Sequence, residues 1–186
     1  MGIQTNAKRI VLAFDVSKSV VNKMARSSTS MKDIKAETLR LIEAMPANSR
    51  FGIVQFTQNY QMFKEELVPA SETNKQAARD WIEREWTEEG TLQKRGVVPN
   101  PEGLLGVLRA VDKLKPDALF LISDASFQNR TSGAIKTIPH REFEKYFQTR
   151  PENYPVHFIA FEAKPEDRKF WRRIAIHTGG KFKEAN

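Results

Sequence analysis

At 186 residues, with 40% hydrophobic and 28% charged content, the chain is long and apolar enough to bury one core, and its composition is neither that of a disordered nor of a membrane protein. Its apolar runs are strand-sized, far below the ~20 residues a spanning helix needs, and the absence of cysteine excludes disulfides, thiolate catalysis and cysteine-based zinc sites. A formal net charge of +7 suits an acidic partner, but Lys and Arg are dispersed rather than run together, which disfavours nucleic acid.

In chain order, Met1 to Asn6 lack the apolar stretch of a secretory signal, a start that also suits a domain cut from a longer, membrane-anchored protein. The run Ile10-Val11-Leu12-Ala13-Phe14 predicts a buried strand over 8–14, followed by Asp15-Val16-Ser17-Lys18-Ser19 and a long loop over 20–30 with the cluster Ser27-Ser28-Thr29-Ser30. Met31, Ile34, Thr38, Leu41, Ile42 and Met45 hold a 3.6-residue spacing, and that helix ends before Pro46. A strand over 50–57 follows, hairpinned to an antiparallel edge strand over 60–64. Trp81, Ile82 and Trp86 mark a helix over 73–87, and a Gly- and Pro-rich loop covers 90–101. Leu104, Val107, Leu108, Val111 and Leu114 mark a helix that stops at Pro116. Strands over 118–123 and 155–161, helices over 140–147 and 165–178, and a last strand over 181–183 complete the pattern. Strands that alternate with helices and are almost continuously apolar predict a Rossmann-like, doubly wound α/β fold. Its central sheet is mostly parallel with one antiparallel edge strand, and helices cover both faces.

The chemistry converges after the first strand. Asp15, Ser17 and Ser19 place a carboxylate and two hydroxyls at a strand's carboxyl end, where open α/β sheets bind ligands. A donor set of oxygens alone suits a hard cation better than zinc. The structural alternative is that Asp15 and Ser17 cap the following helix and bond loop amides.

These residues resemble a von Willebrand factor type A domain. The D-x-S-x-S pattern is complete at Asp15, Ser17 and Ser19, and Leu119-Phe120-Leu121-Ile122-Ser123-Asp124 is similar to the family's apolar strand ending in a hydroxyl residue and an aspartate. Phe51-Gly52-Ile53-Val54-Gln55-Phe56 is similar to its second strand, and the stretch from Ile174 to Phe182 to its closing helix, turn and strand. The resemblance runs from Lys8 to Glu184, so residues 1–7 are expected to be an N-terminal extension and 8–186 the domain. In the winding order 3-2-1-4-5-6, strands one and four flank the switch point, which brings Asp15 and Asp124 to one crevice.

The resemblance implies a metal-ion-dependent adhesion site. Ser17 and Ser19 would bind Mg²⁺ or Mn²⁺ directly, and Asp15 and Asp124 would hold it through water. With few charges on it directly, such an ion recruits an acidic side chain from a protein partner. One element departs from the family pattern: its threonine ligand falls in register with Pro99, which offers no side-chain oxygen. Asn100, Glu102 and Thr91 are the nearest substitutes, and Ala125 follows Asp124 where the family often has glycine.

Enzymatic readings find no support. A haloacid-dehalogenase-type phosphatase needs a second aspartate where Ser17 stands, no G-x-S-x-G elbow or phosphate-binding glycine motif occurs, and His140, His157 and His177 are scattered. Trp81, Trp86 and Trp171 read as core. The alternative to a metal-bridged module is a metal-free scaffold that engages an acidic protein, a membrane or nucleic acid through its basic surface. The densest basic stretch is Lys164, Arg168, Lys169, Arg172, Arg173, Lys181 and Lys183.

Overall fold

The computed structural model describes residues 5–25, 30–93 and 95–185. The elements in chain order are β1 (Arg9–Asp15), α1 (Lys18–Met24), α2 (Met31–Glu43), β2 (Arg50–Phe56), β3 (Tyr60–Met62), β4 (Val68–Pro69), α3 (Glu72–Glu85) and α4 (Leu104–Lys113). They continue with β5 (Ala118–Ser123), β6 (Gln128–Thr131), β7 (Ala134–Thr137), α5 (His140–Thr149), β8 (Val156–Phe161), α6 (Pro165–His177) and β9 (Phe182–Ala185).

The main sheet has the order β3-β2-β1-β5-β8-β9, with β4 also paired to β2. The pairs β2–β1, β1–β5, β5–β8 and β8–β9 are parallel, while β3 and β4 run antiparallel to β2. The order therefore reverses between β1 and β5, in the doubly wound arrangement expected, and the crevice at their carboxyl ends is the fold's natural binding position.

The strand pleat explains why the apolar runs are continuous. Val11 and Ala13 of β1, Leu119 and Leu121 of β5, and Val156, Phe158 and Ala160 of β8 join the core beneath α4, α5 and α6. Their alternates Ile10, Leu12, Phe14, Phe120, Ile122, Ile159 and Phe161 join the core beneath α1, α2 and α3. Trp81 and Trp86 are core residues of the second cluster, and Trp171 is wholly buried in the first.

Two regions differ from the sequence-based expectation. The loop expected over 20–30 is helical through Met24, because Val20 and Met24, one turn apart, are both buried against the sheet. Ser27, Ser28 and Thr29 lie outside the described residues. The second difference is the antiparallel hairpin β6–β7, which pairs Gln128 with Thr137 and Thr131 with Ala134. Its turn, Ser132-Gly133, has positive φ at both residues, 53° and 82°, as a two-residue hairpin turn requires. All of β7 is exposed, so no apolar alternation marks it in the sequence. Among the described residues no helix is long and apolar enough to cross a membrane.

The tightest part of the core is an aromatic cluster around Trp171. Its ring stacks on Phe158 at 4.8 Å and meets Phe143 at 5.1 Å, Phe127 at 5.3 Å and Phe170 at 5.5 Å. Truncating so enclosed a ring loses both its transfer energy and its contacts. Trp171→Ala is expected to lower stability by about 3–5 kcal/mol, read from urea unfolding; a loss below about 1 kcal/mol would contradict this packing.

Candidate functional site

Asp15 closes β1 and is the hub of the crevice. Val16 N donates to Phe56 O at 2.8 Å, which extends the β1–β2 ladder one residue past Asp15 and holds its backbone in place. The carboxylate is buried. Its Oδ1 accepts from Ser17 N at 2.9 Å and its Oδ2 accepts from Ser123 Oγ, the last residue of β5, at 2.6 Å. Burial, and next the negative charge of Asp124, push the Asp15 pKa up to about 7, against the smaller opposing pull of Ser123 and Ser17. The sheet thus brings Asp15 and Asp124 together, as the winding order predicts.

Ser17 is the N-cap of α1, but its side chain makes no capping bond. Its Oγ instead lies 3.1 Å from Ser19 Oγ. The capping role considered from the sequence therefore applies to Asp15, through the Ser17 amide, and not to the Ser17 hydroxyl. Asp124 has no exposed surface. Its Oδ1 accepts from Ser126 N at 2.9 Å, while Oδ2 has no hydrogen-bond donor and faces the Lys23 ammonium as an ion pair 2.9 Å away.

A crevice of about 270 Å³ has Asp15, Ser17, Ser19, Thr57, Gln58 and Ser126 in its walls, while Asp124 is enclosed and does not line it. Thr57 follows β2 directly and Ser126 follows Asp124 by two positions, so hydroxyls just beyond apolar strands were the available sequence signal for both. The mouth is bounded by Gln128 and Ile135 of the β6–β7 hairpin.

The candidate substitutes for the family threonine take other roles. Asn100 is buried, and its Nδ2 donates to Gln58 O at 3.0 Å and Gly103 O at 2.6 Å, tying the loop after β2 to the start of α4. Its Oδ1 approaches so close to Gly106 that a Cβ there would sit 2.1 Å away, which is why α4 carries a glycine in its first turn. Glu102 forms an ion pair with Arg109. Thr91 accepts through its backbone carbonyl from Thr87 Oγ1 and lines a separate cavity at the end of α3. Among the described residues no three His, Cys, Asp or Glu side chains group as a metal site.

A larger groove, about 580 Å³, lies between α4 and α5. Its buried carboxylate, Asp112, lines it beside Glu142 and Glu152 and is already satisfied by the Tyr146 and Tyr154 hydroxyls, both at 2.7 Å, and burial pushes both phenols up and keeps them protonated. The smaller crevice is the better site because its oxygens converge on open space. The histidines are structural: His157 accepts from Lys181 N at 3.1 Å, with its pKa held down by burial and by Lys181, and His140 stacks on Phe170 at 4.0 Å. The basic face of α6 is partly neutralised, Arg168 and Arg172 by Glu184 and Arg173 by Glu144.

No protein-family model matches the chain. Over 115 residues, 62% of the chain, it is 30% identical to inter-alpha-trypsin inhibitor heavy chain H1 of Homo sapiens, a match that spans 12% of that protein. The structure of the conserved hypothetical protein BatB from Bacteroides thetaiotaomicron is similar with a TM-score of 0.60 at 13% identity, covering 95% of this chain and 89% of that one. An aerotolerance-related membrane protein from Bacteroides fragilis, carrying multiple mutations to serines, is similar with a TM-score of 0.59 at 14% identity, covering 95% and 90%. The sheet order and these structural likenesses together support the doubly wound α/β fold with Asp15 and Asp124 at its switch point.

Proposed function

We propose that this chain is a non-enzymatic protein-interaction module that meets its partner at the crevice walled by Asp15, Ser17 and Ser19, with Asp124 enclosed beside Asp15 and Mg²⁺ or Mn²⁺ bridging the contact. The observation that carries the reading is the hydroxyl pair. Two oxygens on adjacent positions of an octahedral ion at about 2.1 Å lie about 3.0 Å apart, and Ser17 Oγ and Ser19 Oγ are 3.1 Å apart. The donor set fits a hard cation, and the raised Asp15 pKa marks a buried acid short of positive charge. Ser17 and Ser19 would hold the ion directly, and Asp15 and Asp124 through water. The bound ion would offer an open coordination position to a carboxylate of the partner.

The surrounding residues supply the rest of the recognition. Thr57, Gln58 and Ser126 offer polar contacts at the wall, and Ile135, 58% exposed on the hairpin, offers an apolar one at the mouth. Together they describe a partner segment with an acidic side chain beside an apolar residue. A second reading, a metal-free scaffold contacting an acidic protein through basic surface, is favoured by the Lys23–Asp124 ion pair, which already brings one positive charge to the crevice.

Divalent ions are expected to stabilise the fold. A ligand at 100-fold its dissociation constant adds about 2.7 kcal/mol, so millimolar Mn²⁺ should raise the unfolding midpoint over that in EDTA, and Ser17→Ala with Ser19→Ala should remove the rise. An unchanged midpoint with Mg²⁺ and Mn²⁺ would refute the metal-bridged reading.

Asp15 also predicts a pH dependence. Its folded pKa of about 7 lies above the ordinary aspartate value of 3.8, so the fold favours the protonated acid. Its contribution to stability is fully present below about pH 4 and is lost as pH rises through 7. In EDTA, the urea midpoint should fall between pH 5 and pH 8, and Asp15→Asn should flatten that fall. A slope that Asp15→Asn leaves unaltered would rule out Asp15 as its origin.

A further inference from the structure

Lys23 was not singled out by any sequence pattern, yet its ammonium pairs with the enclosed Asp124 beside the crevice, whose wall carries a different lysine, Lys18. Lys23 stands in the last turn of α1, with its side chain 28% exposed. Its ammonium lies 2.9 Å from Asp124 Oδ2 and donates to Glu162 O, just past β8, at 3.2 Å. The side chain therefore bridges the helix after β1 to the ends of both β5 and β8. Asp124 is fully enclosed, and its Oδ2 has no other donor. An enclosed carboxylate oxygen left without a counter-charge is strongly unfavourable.

We propose that the Lys23 ammonium is a tethered cation of the crevice, one that neutralises Asp124 when no metal is bound and weakens the binding of a divalent ion when one arrives. The inference rests on the metal-bridged reading for its second half alone. Its basis is charge. With both carboxylates ionised, Asp15 and Asp124 supply −2, and a divalent ion alone brings the crevice to 0. With the Lys23 ammonium paired to Asp124, the same ion leaves these three side chains with one surplus positive charge. The surplus disfavours the ion by itself and favours the further arrival of an acidic group, which restores 0. Lys23 would then make metal and acidic partner bind more tightly together than apart, since coupling between two ligands is reciprocal.

The test has two arms. In EDTA, urea unfolding of wild type, Lys23→Met, Asp124→Asn and the double variant forms a double-mutant cycle. Lys23→Met should destabilise wild type and cost much less in the Asp124→Asn background. An additive cycle would overturn the proposal. If Lys23→Met does not fold, Lys23→Gln serves the same cycle with a polar side chain. In the second arm, Mn²⁺ is titrated calorimetrically into the folded variants. Lys23→Met should bind Mn²⁺ about tenfold more tightly than wild type, or more, and Lys23→Arg should resemble wild type. Binding by Lys23→Met alone would also support the proposal, with Lys23 the resident cation of the wild type. Equal Mn²⁺ affinity in wild type and Lys23→Met would overturn the competition while leaving the metal-bridged reading intact. Binding by neither, with calcium-free and chelator-free protein, would overturn both.

Discussion

The Asp15 carboxylate connects the two strands on which the site depends. One oxygen holds the Ser17 amide and so starts α1; the other holds the Ser123 hydroxyl and so locks the end of β1 to the end of β5. The carboxylate is buried, so the acid has lost most of the water that would stabilise its charge. The parallel pairing of β1 with β5 places Asp124 just beyond Ser123, where a second negative charge makes ionisation of Asp15 harder still. The site is built around a charge problem created by the fold.

Two solutions to that problem are visible in the residues present. The Ser17 and Ser19 hydroxyls, hydrogen-bonded to each other at 3.1 Å, line the crevice with Asp15 and are the oxygens the proposed ion would use. Lys23 addresses Asp124 from the other side. These solutions act on different carboxylates, so they need not exclude one another. They do share one electrostatic environment, and each changes what the other is worth.

How much of this was legible in the sequence depended on burial. β5 was read to the residue because every side chain over Ala118–Ser123 is enclosed and all but the last are apolar, and α6 to within one residue because Pro165 opens it and buried Phe170, Trp171 and Ile174 give it helical spacing. The crevice's acids and hydroxyls were legible because they follow directly on such strands. The β6–β7 hairpin was not, since side chains on solvent carry no periodicity, and its only local mark is the Ser132-Gly133 turn. Short α1 exposes too few buried positions to declare a period. Asn100 was noticed as an oxygen donor, but whether an amide faces an ion or two backbone carbonyls depends on contacts distant in the chain, here Gln58 O among them. The partnership of Lys23 with Asp124 was hidden for the same reason.

The hairpin's lack of a core has its own evolutionary meaning. Its inner strand is fastened to the body of the protein through Arg130 N and Pro101 O at 2.7 Å, while β7, with Ile135, stands free at the crevice mouth. Substitutions along the outer strand would therefore remodel the rim without disturbing the sheet or the hydroxyls below it. A lineage could exchange one binding preference for another there while keeping the same central chemistry.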